Sequence, residues 1–116
     1  MTSNKIINIT SITDFNTLIS NNKVVILKAS ASWCGPCKRI NPFFIKCIDE
    51  LPPNICIAVI DIDESPGIKR AYKIKSVPYF ASFINGDITD ILSSSNMDEI
   101  KSFFIKTIKN NKTIKQ

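Results

Sequence analysis

The chain has 116 residues, of which 44% are hydrophobic and 22% are charged, a composition typical of one globular domain spanning residues 1–116. It excludes a disordered or fibrous protein. No apolar run approaches the ~18 residues that a membrane span needs, and the first residues lack the basic and apolar segments of a secretory signal, so we expect a cytoplasmic protein.

The net charge is +5 and is carried mostly by lysine. The densest group of basic residues lies along the last predicted helix and the tail. It comprises Lys101, Lys106, Lys109, Lys112 and Lys115. Because these charges are spread out, a solvated helix face explains them better than a nucleic-acid site, and we expect no nucleic-acid partner.

In the first half of the chain, apolar runs alternate with amphipathic patterns. Residues 5–8 predict a short strand, and a capping-box-like start at residues 11–14 predicts a helix that ends at residues 21–22. Residues 24–29 form a nearly continuous aliphatic run, which is typical of a strand buried on both faces of a parallel sheet. Lys28 is the exception within this run.

The middle of the chain continues the alternation. Apolar residues at helical spacing follow Cys34 and predict a long helix, which Pro42 should kink and residues 52–53 should end. Residues 55–62 predict a second buried strand. Residues 65–72 then predict a short helix that begins with an N-cap serine and a first-turn proline.

The last third of the chain predicts a hairpin and a final helix. Residues 79–84 and 88–92 flank the turn-forming pair Asn85-Gly86, and residues 96–99 cap the last helix. The resulting order, βαβαβαββα, predicts an α/β fold with a central mixed β-sheet and helices on both faces. Ligand chemistry then belongs at the carboxyl ends of the parallel strands.

Two cysteines lie at that edge of the predicted sheet, directly after a buried strand and at the start of the longest helix. Cys34 and Cys37 are within disulfide reach of each other, and the helix dipole stabilises a thiolate on the first of them. Cys34 is therefore the candidate nucleophile, and the more shielded Cys37 is placed to attack a mixed disulfide at Cys34. Gly35 and Pro36 should fix the tight entry into the helix.

A zinc site is the competing interpretation of these cysteines. The chain has no histidine and no second C-x-x-C pair, so only Cys47 and Cys56 could complete the ligand set. Both fit core packing better, since one lies on an apolar helix stripe and the other lies within a buried strand. We expect no metal and no cofactor beyond the Cys34–Cys37 pair.

Nearly the whole chain resembles the thioredoxin family. The segment Trp-Cys-Gly-Pro-Cys-Lys at 33–38 matches the active site of that family residue for residue, and Pro42 matches the kink in its active-site helix. Residues 76–78, Ser-Val-Pro, resemble the loop that carries its cis-proline, and Asn85-Gly86 fits its hairpin turn.

This resemblance implies a thioredoxin fold and a protein-disulfide reductase in which Cys34 attacks and Cys37 resolves. It also implies that Trp33 supports the rim of the site and that the backbone of Val77, beside a cis Pro78, pairs with the substrate strand. The implied partners are disulfide-containing proteins and an electron donor such as a thioredoxin reductase or a glutathione system. We expect a monomer that acts away from membranes.

Four places depart from the family pattern. The buried acid usual six residues before the nucleophile is Lys28, and the phenylalanine usual after that acid is Ala29. The threonine usual after the cis-proline is Tyr79, which we expect on the substrate-binding rim. Residues 93–95, all serine, lie where the family has a glycine that lets the substrate approach.

Lys28 has two interpretations. If its ammonium points towards Cys37, it lowers the pKa of that thiol and makes the disulfide easier to reduce, which gives a stronger oxidant. If the side chain snorkels outward, it is packing only, and water or a carboxylate such as Asp61 handles the proton at Cys37. We favour the first interpretation, which assigns Lys28 a pKa-tuning role.

Two rival functions stay open. One is a more oxidising, isomerase-like exchanger, which Lys28 favours. The other is a non-enzymatic binding module, in which Tyr79 and the serine-rich rim would form an altered contact surface. Intact Cys34 and Cys37 argue against the binding module, since binding alone needs neither thiol.

Overall fold

A five-stranded mixed sheet lies at the centre of the computed structural model, which describes residues 6–114 and their side chains up to residue 112. The elements in chain order are β1 (Ile6–Asn8), α1 (Ile12–Asn21), β2 (Val24–Ser30), α2 (Gly35–Asp49), β3 (Ile55–Asp61), α3 (Pro66–Ala71), β4 (Tyr79–Ile84), β5 (Asp87–Leu92) and α4 (Met97–Ile114). The strand order is β1-β3-β2-β4-β5. β1, β3 and β2 are parallel, whereas β4 and β5 are antiparallel to their neighbours, so the predicted element order and mixed sheet are confirmed.

Helices cover both faces of the sheet, and β2 contributes to both cores because its side chains alternate between the faces. Val25 and Leu27 pack with Phe15 of α1 on one face. Ile26 packs on the other face, together with residues of α2 and α4. The continuous aliphatic run in the sequence is therefore explained by a strand that is buried on two sides.

Aromatic rings join α2, β4 and α4 on the second face. The ring centroid of Phe44 lies 5.8 Å from that of Phe80 and 5.8 Å from that of Phe104. Phe80 in turn lies 5.9 Å from Phe103. Such ring contacts add to the burial of apolar area, so this cluster fixes α4 against the helix that carries the cysteine pair.

Short-range signals form as predicted. The Oγ of Ser11 accepts the backbone N–H of Asp14 at 3.2 Å, and the Oδ1 of Asn96 accepts that of Glu99 at 2.9 Å, so both helix caps are confirmed. The turn between β4 and β5 has positive φ at both central residues, as a tight hairpin turn requires. α2 extends from Gly35 to Asp49 with Pro42 in its interior.

Ser65 differs from its prediction. It occupies the N-cap position of α3, but its side chain makes no capping bond and its Oγ donates instead to the carbonyl of Ile9 at 3.1 Å. Because Ser65 is fully buried, this bond satisfies its hydroxyl and ties α3 to the residue that follows β1. The first residue of the predicted strand 5–8, and Lys115 of the basic group, lie outside the described residues.

Two of the departures from the family pattern face each other in the sheet. Ala29 of β2 pairs in register with Tyr79 of β4, and both belong to the same core cluster. Tyr79 is only 5% exposed, so its ring lies in the core and not on the substrate-binding rim where we expected it. The small residue at 29 and the large residue at 79 therefore form a matched pair.

This pairing predicts coupled effects on stability. Ala29→Phe alone should lower the free energy of unfolding by about 2 kcal/mol through overpacking, and Tyr79→Thr alone should lower it by about 3 kcal/mol by leaving a cavity. The double variant should lose less than the sum by at least about 1 kcal/mol. Urea denaturation of the oxidised protein measures all three, and additive losses would contradict the pairing.

Candidate active site

Cys34 and Cys37 form a disulfide at the start of α2, beside the carboxyl end of β2, with their Cα atoms 5.3 Å apart. Cys34 is the N-cap residue, and its Sγ accepts the backbone N–H of Cys37 at 3.1 Å. Pro36 lies in the first turn, where the amide that it lacks would have had no helical partner. The helix dipole and this N–H both favour negative charge on the Cys34 sulfur.

We expected Cys37 to be more shielded than Cys34, but the two cysteines are equally buried. Each is 4% exposed, because in the closed disulfide each sulfur covers the other. The loop before β4 also covers Cys34, since the Val77 carbonyl oxygen lies 3.8 Å from its Sγ. The Val77–Pro78 peptide bond is cis, as predicted.

Trp33 presents the largest exposed aromatic surface at the site and is 65% exposed. Its Nε1–H donates to Oδ2 of Asp63 at 2.8 Å, which fixes the direction of the indole. Asp63 belongs to none of the motifs in the sequence. Its position just after β3 was the available signal, because β2 and β3 are parallel and their carboxyl ends share one edge of the sheet.

Gly35 is not required by backbone geometry. Its φ is not in the left-handed region, and a Cβ added there would meet nothing within 4 Å. The expected role of Gly35 in a tight entry to the helix therefore has no steric basis, and the observed feature is open space beside Cys34.

Lys28 is buried, with 5% of its surface exposed. Its Nζ donates to Oδ1 of Asn41 at 2.8 Å and lies 4.7 Å from the ring centroid of Phe44, a cation–π contact. Burial lowers the pKa of Lys28 from its ordinary value of 10.5. The ammonium is thus held by α2 and does not extend freely into water.

An open pocket of about 360 Å³ brings Lys28 and Cys37 together. The other lining residues are Ser30, Ala31, Lys38, Asn41 and Val59. Asp61 is not among them, and its Oδ1 accepts the backbone N–H of Asp63 at 2.8 Å. Asn41 escaped the sequence analysis, although its position four residues after Cys37 places both on one face of α2.

The other two cysteines lie apart from the site and from each other. Cys47 packs in the core cluster of α2 and α4, and Cys56 packs in the cluster on the opposite face. Burial raises the pKa of the Cys47 thiol, and the negative charge of Glu50 adds to this. Among residues 6–114, no three His, Cys, Asp or Glu side chains form a metal-binding group, and no helix has the length and apolarity needed to cross a membrane.

Comparison with known proteins agrees with this geometry. The family profile described as Thioredoxin matches residues 6–106. The chain belongs to the thioredoxin family. It is 37% identical over 98 residues to Thioredoxin 1 of Plasmodium falciparum, covering 84% of this chain and 93% of that protein. It is 32% identical over 101 residues to the thioredoxin of Coprinus comatus, covering 86% and 95% of the two chains.

Solved thioredoxin structures superpose on the chain. The Plasmodium falciparum thioredoxin aligns with a TM-score of 0.80 at 35% identity, over 88% of this chain and 97% of that one. A structure described as showing thiol resolution in a yeast mitochondrial 1-Cys peroxiredoxin through glutathione and thioredoxin systems aligns at 0.81 with 27% identity, over 87% and 94%. The thioredoxin fold is confirmed, and the protein is a dithiol–disulfide oxidoreductase of a family that acts on disulfide-containing substrates and is served by reductases.

Replacing Lys28 with Met should raise the free energy of unfolding at neutral pH by about 1 kcal/mol. The thioether chain fills similar space without a desolvated charge, and the exposed Asn41 amide can bind water instead. This stability gain should shrink as pH rises from the lowered pKa of Lys28 towards 10.5. In that range the unfolded wild type still holds the lysine proton, whereas the folded wild type loses it. The wild type therefore becomes more stable as pH rises.

Urea denaturation of both oxidised proteins over this pH range measures the difference. Titrations of Tyr72 and Tyr79, whose pKa values burial raises, are common to both proteins and cancel. A stability gain that grew with pH would contradict the burial of a charged Lys28.

Proposed function

We propose that the protein is a cytoplasmic protein-disulfide reductase in which Cys34 attacks the substrate disulfide and Cys37 resolves the intermediate. The observation that carries this assignment is the position of the Cys34 sulfur at the N-cap of α2, where it accepts the Cys37 N–H at 3.1 Å. A thiolate gains most from the helix dipole and from free amides at this position, and Cys37, one turn into the helix, gains less.

Two exchange steps carry out the reduction. The Cys34 thiolate attacks one sulfur of the substrate disulfide, which forms a mixed disulfide and releases the other substrate sulfur as a thiolate. Cys37 then loses its proton, and its thiolate attacks the Cys34 sulfur. The Cys34–Cys37 disulfide forms, the second substrate thiolate leaves, and the substrate has gained two electrons.

The surface around Cys34 suits an extended substrate segment. Trp33 offers an exposed ring that is fixed by its bond to Asp63, and open space lies beside Gly35. We infer that the backbone of Val77, beside Pro78, pairs with the substrate chain. The 3.8 Å distance from the Val77 carbonyl to the Cys34 sulfur supports this, since a substrate segment bound there lies next to the nucleophile.

We further propose that the protein acts as a single-domain monomer on disulfide-containing proteins and is itself reduced by a thioredoxin reductase or a glutathione system. Both cysteines belong to one chain, so neither exchange step needs a second copy. Membership of a family that interacts with reductases supports a dedicated electron donor.

A more oxidising, isomerase-like exchanger is the second candidate function. It is favoured by Lys28, because a buried cation near Cys37 stabilises the thiolate of the reduced state and so makes the disulfide easier to reduce. The equilibrium constant with glutathione separates the two candidates, since a reductase keeps the lower reduction potential.

Limited alkylation tests the roles of the cysteines. In the reduced protein, iodoacetamide should modify Cys34 at least about tenfold faster than Cys47, because the helix start favours the Cys34 thiolate while burial raises the pKa of Cys47. Peptide mass spectrometry measures the order, with a Cys34→Ser variant as the control. Faster labelling of Cys37 or Cys47 would contradict the assignment.

Trapping tests the two-step mechanism. A Cys37→Ser variant should accumulate mixed disulfides with substrate proteins at Cys34, because the resolving thiolate is missing, whereas a Cys47→Ser variant should turn over normally. Non-reducing electrophoresis measures the trapped species. A binding module would instead retain its partners in a Cys34→Ser, Cys37→Ser double variant, and that result would overturn the enzymatic role.

A further inference from the structure

The pocket beside Cys37 contains a buried cation that disulfide exchange does not by itself require. Lys28 is 5% exposed, and its Nζ has an amide oxygen of Asn41 at 2.8 Å and the ring centroid of Phe44 at 4.7 Å. An ammonium group in this position has lost most of its water, which is unfavourable unless a negative or polar partner compensates. Asn41 is a neutral partner, so the positive charge remains unbalanced.

α2 sets the distance between this charge and the resolving cysteine. Asn41 follows Cys37 by four residues, so the two lie on one face of the helix, separated by a rise of about 6 Å. Lys28 is held on Asn41 and lines the same open pocket as Cys37. The ammonium is therefore held within about one helical turn of the Cys37 thiol.

Among the side chains that the structure describes, no carboxylate lines this pocket or forms a salt bridge with Lys28. The residues opposite Lys28 in β3 and β4 are apolar, Val59 and Phe80. Among the residues that line the pocket, the other charged group is Lys38, which is exposed and also positive. Asp61, at the end of β3, does not line the pocket and accepts a backbone N–H from the turn after it.

We propose that Lys28, oriented by Asn41, is a positioning residue that favours the thiolate form of Cys37 and so speeds the resolution of the mixed disulfide. The proposal rests on the proposed function. In the resolving step, Cys37 gives its proton to solvent through the open pocket, its thiolate attacks the Cys34 sulfur, and the substrate thiolate leaves. Lys28 keeps its proton throughout. An opposite charge at such a distance lowers a thiol pKa by about one unit, which gives about tenfold more thiolate below that pKa.

Stopped-flow reaction with excess Ellman's reagent isolates the resolving step. Cys34 displaces one thionitrobenzoate in a phase that depends on reagent concentration. Cys37 then displaces the second thionitrobenzoate from Cys34 in a phase whose rate does not depend on reagent concentration. In Lys28→Met, the pH midpoint of this second phase should rise by about one unit, so its rate at neutral pH should fall about tenfold. Above the pH midpoints of both proteins, the second-phase rates of the wild type and of Lys28→Met should converge. A distorted site would instead slow this phase at every pH.

Direct titration of Cys37 provides a second readout. In a Cys34→Ser background, the NMR chemical shift of the Cys37 Cβ against pH should give a Cys37 pKa about one unit higher when Lys28→Met is added. Lys28→Gln should also raise this pKa, because it removes the positive charge while keeping an N–H donor that can reach Asn41. This variant keeps the test valid if Lys28→Met does not fold.

Lys38→Met is the matched control, since it removes an exposed cation from the same pocket. It should shift the Cys37 pKa less than Lys28→Met does, because water screens its charge. An unchanged Cys37 pKa in Lys28→Met and in Lys28→Gln, or an equal shift in Lys38→Met, would overturn the proposal. Failure of the wild type to release the first thionitrobenzoate would instead contradict the role of Cys34, while the titration of Cys37 would still test Lys28.

Discussion

The burial of β2 in the middle of the sheet is the constraint on which the site depends. β2 is hydrogen-bonded to β3 on one side and to β4 on the other, and helices cover both of its faces. Its carboxyl end can therefore lead only into the edge of the sheet, where α2 begins with Cys34. Parallel β3 brings Asp63 to the same edge, and antiparallel β4 starts there, directly after Pro78. For this reason, three separate chain segments meet at the edge of the sheet where Cys34 lies.

Local features could be predicted from the sequence unless a tertiary contact intervened, as it does at Ser65, whose hydroxyl binds the Ile9 carbonyl instead of capping α3. The caps at Ser11 and Asn96 depend on bonds across three residues, so their patterns were sufficient. Asn41 and Asp63 each had a positional signal, but their bonds to Lys28 and Trp33 depend on how the sheet places α2 and the end of β3. The equal burial of the two site cysteines was also hidden, because it depends on the closed disulfide and on a loop more than forty residues away.

Departures from the family pattern have a different meaning once the register is known. Considered one by one, the loss of a phenylalanine at Ala29 and the gain of a ring at Tyr79 are two unrelated changes. The antiparallel pairing makes them one exchange of volume across two strands, with the core still filled. Lys28, next to Ala29, points to the opposite face of the sheet. There its ammonium donates a hydrogen bond to the amide oxygen of Asn41 and makes a cation–π contact with Phe44.

Phe44 contacts both the Lys28 ammonium and an aromatic ring of α4, so the packing of α4 can influence the site. Its ring lies beneath the Lys28 ammonium and also packs against Phe104 of α4, which is not part of the pocket. Any substitution in α4 that tilts or shifts the Phe44 ring alters the environment of the cation next to the reactive disulfide. On the proposed role of Lys28, substitutions in a helix that only covers the sheet would therefore change redox behaviour without replacing a cysteine, a proline or a residue of the substrate surface.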